Sequence, residues 1–139
     1  MDLVTAFLNA FNATLQDVID AIPQQAVATT WCHDALAITD TANYDAALNL
    51  TWCPGRRCIE VYNGCDQAVS ITLLVYDVPT GIELLYASDA QVVAANSNSL
   101  ITAAAIPALL EPLQQLVLRA NYTVAPTTGT LNTFVDAVA

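Results

Sequence analysis

The chain contains no lysine, and Arg56, Arg57 and Arg119 are its only cations against 13 Asp and Glu residues, giving a formal net charge of −10. Nucleic acids and anionic membrane surfaces are held by a basic footprint, so this charge balance excludes both as partners. Charge of either sign is scarce. Only 12% of residues are charged, about half the ordinary share, while 55% are hydrophobic. Halophilic acidity would require a far denser carboxylate surface than this. There are four glycines and none cluster, which removes the Gly-rich loop that cradles phosphates. One histidine, His33, limits any histidine chemistry to a single position. Its neighbour Cys32 could be a nucleophile, but consecutive residues of a regular strand point to opposite faces. A surface or turn histidine is therefore expected. Glu60 and Glu83 could meet across a sheet, as carboxylate pairs do in any acidic protein, which is no signature of glycoside hydrolysis. No run reaches the roughly 18 uninterrupted apolar residues of a membrane span, because Pro107, Glu111 and Pro112 interrupt the most apolar region, Leu100 to Leu118. Met1-Asp2-Leu3 lacks the basic start of a secretory signal, so the chain is expected to be unprocessed. The sequons at Asn12, Asn49 and Asn121 are then chance in an Asn- and Thr-rich chain.

What remains is 139 residues, one domain's worth, with enough apolar content for a real core. A chain so poor in charge either exposes unusual apolar area or covers it with a partner. That points to an assembly subunit. A monomer solubilised by its Thr, Asn, Ser and Gln side chains is the plainer alternative.

A single structural unit is expected, made of an N-terminal amphipathic helix over residues 1–23 and a β-sandwich domain over 24–139. Asp2 can cap the helix and Pro23 ends it. Val4, Leu8, Phe11, Leu15, Val18 and Ile22 are spaced four, three, four, three, four. This is a heptad seam, widened by Leu3, Phe7 and Ile19. The stripe either packs on the domain's own sheet or forms a subunit interface with copies of the chain, with Phe11 and Val18 as the residues to test. From Ala26 onward the helical period vanishes and short β-like runs alternate with turns. The strongest signals lie between Arg57 and Val78. Two β runs there flank Asn63-Gly64, the dipeptide best suited to the positive φ angles of a hairpin, so a central hairpin is expected. Val69, Ile71, Leu73 and Val75 share one face of the second run. Leu116, Leu118, Ala120, Tyr122 and Val124 share one face of a later strand. Pro79-Thr80-Gly81 and Asn96 to Ser99 read as turns. About eight strands at this spacing predict a mainly β fold, an antiparallel β-sandwich or jelly-roll-like domain behind an N-terminal amphipathic α-helix.

Cys32, Cys53, Cys58 and Cys65 are the candidates for special chemistry. Four cysteines allow three pairings. Cys32 with Cys53 is suggested by the echo Thr30-Trp31-Cys32 and Thr51-Trp52-Cys53. Cys58 with Cys65 is suggested by their positions on either side of Asn63-Gly64. Free buried thiols are the alternative. A zinc site using these cysteines and His33 lacks the Cys-x2-Cys knuckles of common structural sites, so no metal and no cofactor is assigned. The Cys53 to Cys58 loop, with Arg56 and Arg57, is the one positively charged spot. It is either an exposed turn or a place to hold an acidic patch of a partner.

Glu60-Val61-Tyr62-Asn63-Gly64 and Tyr122-Thr123-Val124-Ala125-Pro126-Thr127-Thr128-Gly129-Thr130-Leu131 resemble, in style, small structural virion proteins of bacteriophages, especially head decoration (cement) proteins. The resemblance covers about half the chain. It implies a β-rich, non-enzymatic subunit that sits as a trimer or dimer on the capsid exterior, with other copies and a major capsid protein as its partners. Two other roles fit the composition. One is a subunit of an extracellular filament or surface layer, in which the helix or a terminal strand inserts into the next copy. The other is a β-sandwich glycan-binding module with Trp31, Trp52 or tyrosines as an exposed platform.

Overall fold

The computed structural model describes residues 2–21, 27–49, 56–77, 79–111 and 115–138. The helix α1 (Leu3–Ala21) opens the chain. Asp2 caps it: Oδ1 accepts a hydrogen bond from the Thr5 N–H at 2.7 Å, and its carbonyl accepts one from the Ala6 N–H. That hydrogen bonding holds the Asp2 carboxyl below its ordinary range.

Nine strands follow among the described residues: β1 (Val27–Ala37), β2 (Asn43–Asn49), β3 (Arg56–Asn63), β4 (Val69–Tyr76), β5 (Leu84–Ala87), β6 (Gln91–Val93), β7 (Ser97–Ile101), β8 (Gln115–Asn121) and β9 (Thr130–Val138). One sheet has the order β1-β9-β3-β7. The other has β2-β8-β4-β5, with β6 further along the same edge of β4. Every pairing is antiparallel. The partners are nested: β1 with β9, β2 with β8, β3 with β7, and β4 with β5 and β6. A single long antiparallel ribbon is thus rolled over on itself, which is the jelly-roll form of the β-sandwich.

The core lies between the sheets and follows the two-residue period. Val69, Ile71, Leu73 and Val75 of β4 face Ile59 and Val61 of β3, all at most 4% exposed. Leu116, Leu118, Ala120 and Tyr122 are buried, as their spacing predicts. Val124 is not: β8 ends at Asn121 and Val124 is exposed. The Pro79 to Gly81 turn forms with Gly81 at φ 66°, the left-handed region glycine favours. The expected Asn96 to Ser99 turn is shorter than its sequence suggests, since β7 begins at Ser97.

The expected central hairpin does not form. β3 and β4 belong to opposite sheets, and the chain between them arches across the core. Asn63 is 1% exposed and ties the arch together. Its Oδ1 accepts hydrogen bonds from the Cys65 N–H and the Tyr122 hydroxyl. Its Nδ2 donates to the carbonyls of Gln67, Val93 and Ala94. Gly64 serves close approach here, because a Cβ on it would stand 2.9 Å from the Thr130 carbonyl oxygen. Gly129, at φ 97°, completes the contact, since a Cβ there would lie 2.0 Å from the Gly64 oxygen.

Candidate interaction surfaces

The apolar stripe of α1 is not covered by the sandwich over its first three turns. Leu3, Val4, Phe7, Leu8 and Phe11 are between 50% and 85% exposed. This part of the helix therefore does not pack its stripe on the chain's own sheet, contrary to the first of the two expectations. Phe7 and Phe11 lie one turn apart with nearly parallel rings, 6.4 Å between centroids. The side chains of Leu15 and Val18, and all of Ile22, lie outside the described residues.

A second surface lies on the outer face of the β1-β9-β3-β7 sheet. Trp31 on β1 is opposite Phe134 on β9, and Phe134 is opposite Glu60 on β3. The Trp31 and Phe134 rings are 5.0 Å apart, and those of Phe134 and Tyr62 are 5.7 Å apart and nearly parallel. Trp31 and Tyr62 are 54% and 40% exposed. The three rings and Asn132 line a shallow trough of about 420 Å³. A smaller depression of about 200 Å³ continues it past Tyr62 to Glu60, Asn98 and Leu100. Trp52, the other tryptophan considered for a platform, lies outside the described residues. Phe134 carries no motif, yet the period of β9 marks it. Leu131, Thr133, Val135 and Ala137 point inward, so Phe134 shares the outer face with Asn132 and Asp136.

Cys32 and His33 line a third feature, a cleft of about 390 Å³ between β1 and β2 with Asp34, Tyr44 and Asp45. His33 is not a surface histidine: it is 5% exposed. A register shift between Trp31 and His33 breaks the alternation, so Cys32 is half-buried against the core and His33 is buried as well. The Tyr44 carbonyl can only accept, so Nε2 of His33 carries the proton and donates to it at 3.1 Å. Nδ1 lies 2.7 Å from the Thr133 hydroxyl and accepts its proton in the neutral ring. The ring thereby links the two sheets. Burial lowers its pKa, against an opposing pull from the Tyr44 carbonyl and the Asp45 carboxylate. Asp45 is itself held by a bidentate pair with Arg119, 2.7 Å at both nitrogens. Burial pushes the Cys32 thiol up to about 11, so at neutral pH it is a thiol and a poor nucleophile. Cys32 and His33 are committed to packing and to bridging the sheets.

Cys32, Cys58 and Cys65 are free thiols in this structure, and Cys53 lies outside the described residues, as does any pairing of Cys32 with it. Joining Cys58 to Cys65 fails on distance. Cys58 lies near the start of β3 and Cys65 beyond its end, with about 16 Å of strand between Cys58 and Asn63 alone. A disulfide needs Cα atoms within about 7 Å. Among the described residues no group of three or more His, Cys, Asp or Glu side chains is placed to hold a metal ion. Glu60 and Glu83 do not meet, because Glu60 lies on β3 and Glu83 precedes β5 of the other sheet. Of the Cys53 to Cys58 loop, residues 53–55 and the Arg56 side chain lie outside the described residues, and Arg57 is buried. It is 4% exposed and donates from Nη1 to the Glu111 carbonyl at 3.1 Å. No described helix is long and apolar enough to cross a membrane.

No protein-family model, curated protein or solved structure matches the chain.

Proposed function

We propose that this chain is a structural assembly subunit, a non-enzymatic protein that associates with copies of itself through α1, and that it decorates the exterior of a virus capsid. The observation that carries the association is the bare apolar stripe. Five large side chains in the first three turns of α1 are at least half exposed: Val4, Leu8 and Phe11 fall on a sequence seam of heptad spacing, and Leu3 and Phe7 flank it. A repeat of that period suits a second helix of the same kind. A closed dimer or trimer buries the stripe of every copy at once. The outer edge of the other sheet adds apolar surface, with Leu84, Leu85 and Val92 all exposed. Such patches mark contacts with other molecules. The capsid setting rests on the resemblance of residues 60–64 and 122–131 to decoration proteins. It is supported by the jelly-roll topology, which recurs in viral capsid and lectin domains. That support is an analogy of fold and transfers no site.

Light scattering and native mass measurement of the full chain at micromolar concentration test the association. A symmetric dimer or trimer is expected. A monomer refutes the assignment.

A further inference from the structure

We propose that the aromatic trough on the β1-β9-β3-β7 sheet is a carbohydrate-binding site that takes a neutral glycan chain laid across the strands. Trp31, Phe134 and Tyr62 occupy three neighbouring strands, with Tyr62 two residues along β3 from the position opposite Phe134, so their rings form a strip that crosses the strands obliquely. A pyranose ring presents a face of C–H groups with slight positive charge. The negative face of an aromatic ring attracts that surface and shields it from water.

Polar groups flank the strip on both sides, as recognition of a sugar requires. The Glu60 carboxylate accepts a hydrogen bond from the Tyr62 hydroxyl at 2.9 Å. A carboxylate has about four acceptor positions, so capacity remains for sugar hydroxyls. Asn132 lines the trough and uses its Oδ1 to accept the Ala35 N–H at 2.6 Å. That bond fixes the amide's orientation and leaves Nδ2 to donate. Asn98 and Ser99 border the far depression. Charge selects among ligands. Glu60 and Asp136 flank the strip on the same outer face, and the chain carries −10 overall, so sialylated, sulfated or uronic sugars are repelled.

Two other occupants fit less well. A second copy docked face to face by a two-fold axis would bring the Glu60 and Asp136 carboxylates of both copies to one small patch. A quaternary ammonium group is held by rings that wall it in. Here the Tyr62 and Phe134 planes differ by only 13° and the two rings stack on one another, so they do not wall in a cation.

The test uses the full chain with cellohexaose, maltohexaose, xylohexaose and mannohexaose at millimolar concentration, with hexagalacturonate and choline as comparators. Saturation-transfer NMR reads the sugar signals, and tryptophan fluorescence, compared with that of Trp31→Ala, separates the response of Trp31 from that of Trp52. At least one neutral hexamer is expected to bind, with the galacturonate and choline silent. Trp31→Ala and Phe134→Ala are expected to weaken binding at least tenfold, while Tyr62→Phe retains the stacked ring and most of the affinity. Should a variant fail to fold, transfer difference spectra of the unaltered chain still identify the sugar C–H protons that face the rings. The proposal is overturned if no neutral hexamer gives a signal, if choline or the acidic hexamer binds instead, or if both alanine variants bind like the unaltered chain. Loss of the oligomer in Trp31→Ala without any sugar binding would identify the trough as a subunit contact, and also overturns it.

Discussion

Replacing Asn63 with alanine removes the polar knot that holds the arch between the two sheets. The side chain is 1% exposed and touches five partners: the Cys65 N–H, the Tyr122 hydroxyl and the carbonyls of Gln67, Val93 and Ala94. A net hydrogen bond is worth about 1 kcal/mol, and a buried group left without a partner costs about 1–3 kcal/mol. The Tyr122 ring is fully buried, so its hydroxyl has no route to water. Water reaches some of the stranded carbonyls, which keeps the total below the simple sum. The expected loss is about 4 kcal/mol. For a domain of this size that lowers Tm by about 15 °C. Asn63→Asp is the sharper variant. In a hairpin turn, Asp-Gly is as good as Asn-Gly, and the change would be neutral. In the arch it turns two donors into an acceptor facing three carbonyls, so a loss at least as large as with alanine is expected at neutral pH. Tyr122→Phe leaves the Asn63 oxygen bonded to the Cys65 N–H and should cost only about 1 kcal/mol. Thermal melts followed by circular dichroism, with urea titrations for free energies, measure all three. A neutral Asn63→Asp, or an Asn63→Ala within about 1 kcal/mol of the parent, would refute the arch as described.

Gly129→Ala places a methyl on a residue at φ 97° and against the Gly64 carbonyl, so a loss of about 2–4 kcal/mol in urea titration is expected, and a neutral result would mean the two glycines do not touch. His33 is buried neutral with a lowered pKa, so the unfolded chain takes up its proton first as pH falls. Its contribution to stability is complete above an unfolded pKa of about 6.5 and is lost as pH falls through the lower folded value. Denaturant titrations from neutral to mildly acidic pH should show that decline, and His33→Gln should flatten it above the range where the carboxylates titrate. Phe11→Ala removes an apolar contact worth about 1–1.5 kcal/mol per copy if the helices pair. A dimer should then weaken by about 100-fold in concentration-dependent sedimentation, with the thermal midpoint of the dissociated chain unchanged.

Different parts of the molecule were legible to different degrees. Asp2 and the four-three spacing define α1, because a cap and a period are local properties. The inward faces of β4 and β8 follow from alternation for the same reason. Pro79-Thr80-Gly81 marks its turn correctly. Asn63-Gly64 misleads because the residues that make a tight turn also suit a buried crossing: an amide that bonds backbone groups, then a residue without a side chain. Only the distant partners, Tyr122, Val93 and Gly129, distinguish the two, and sequence spacing does not bring them together. Cys32 and His33 mislead through a bulge, which shifts the alternation by one residue without any compositional mark. The trough is half legible. Trp31 and the tyrosines stand out as possible platform residues, whereas recognising Phe134 requires knowing which face of β9 is buried.

The place of β9 has a consequence for how the molecule comes into being. It is the last strand in the chain order, yet it lies between β1 and β3, bonded to both along most of its length. The strands of the opposite sheet all precede it in the chain, so that layer can pair without it. Its companion layer has a gap at its middle until residues 130–138 dock. Until then β1 and β3 each present an unpaired edge, while the exposed apolar side chains of α1 are free to meet another incompletely folded chain. Association between incompletely folded chains is therefore in competition with the docking of β9.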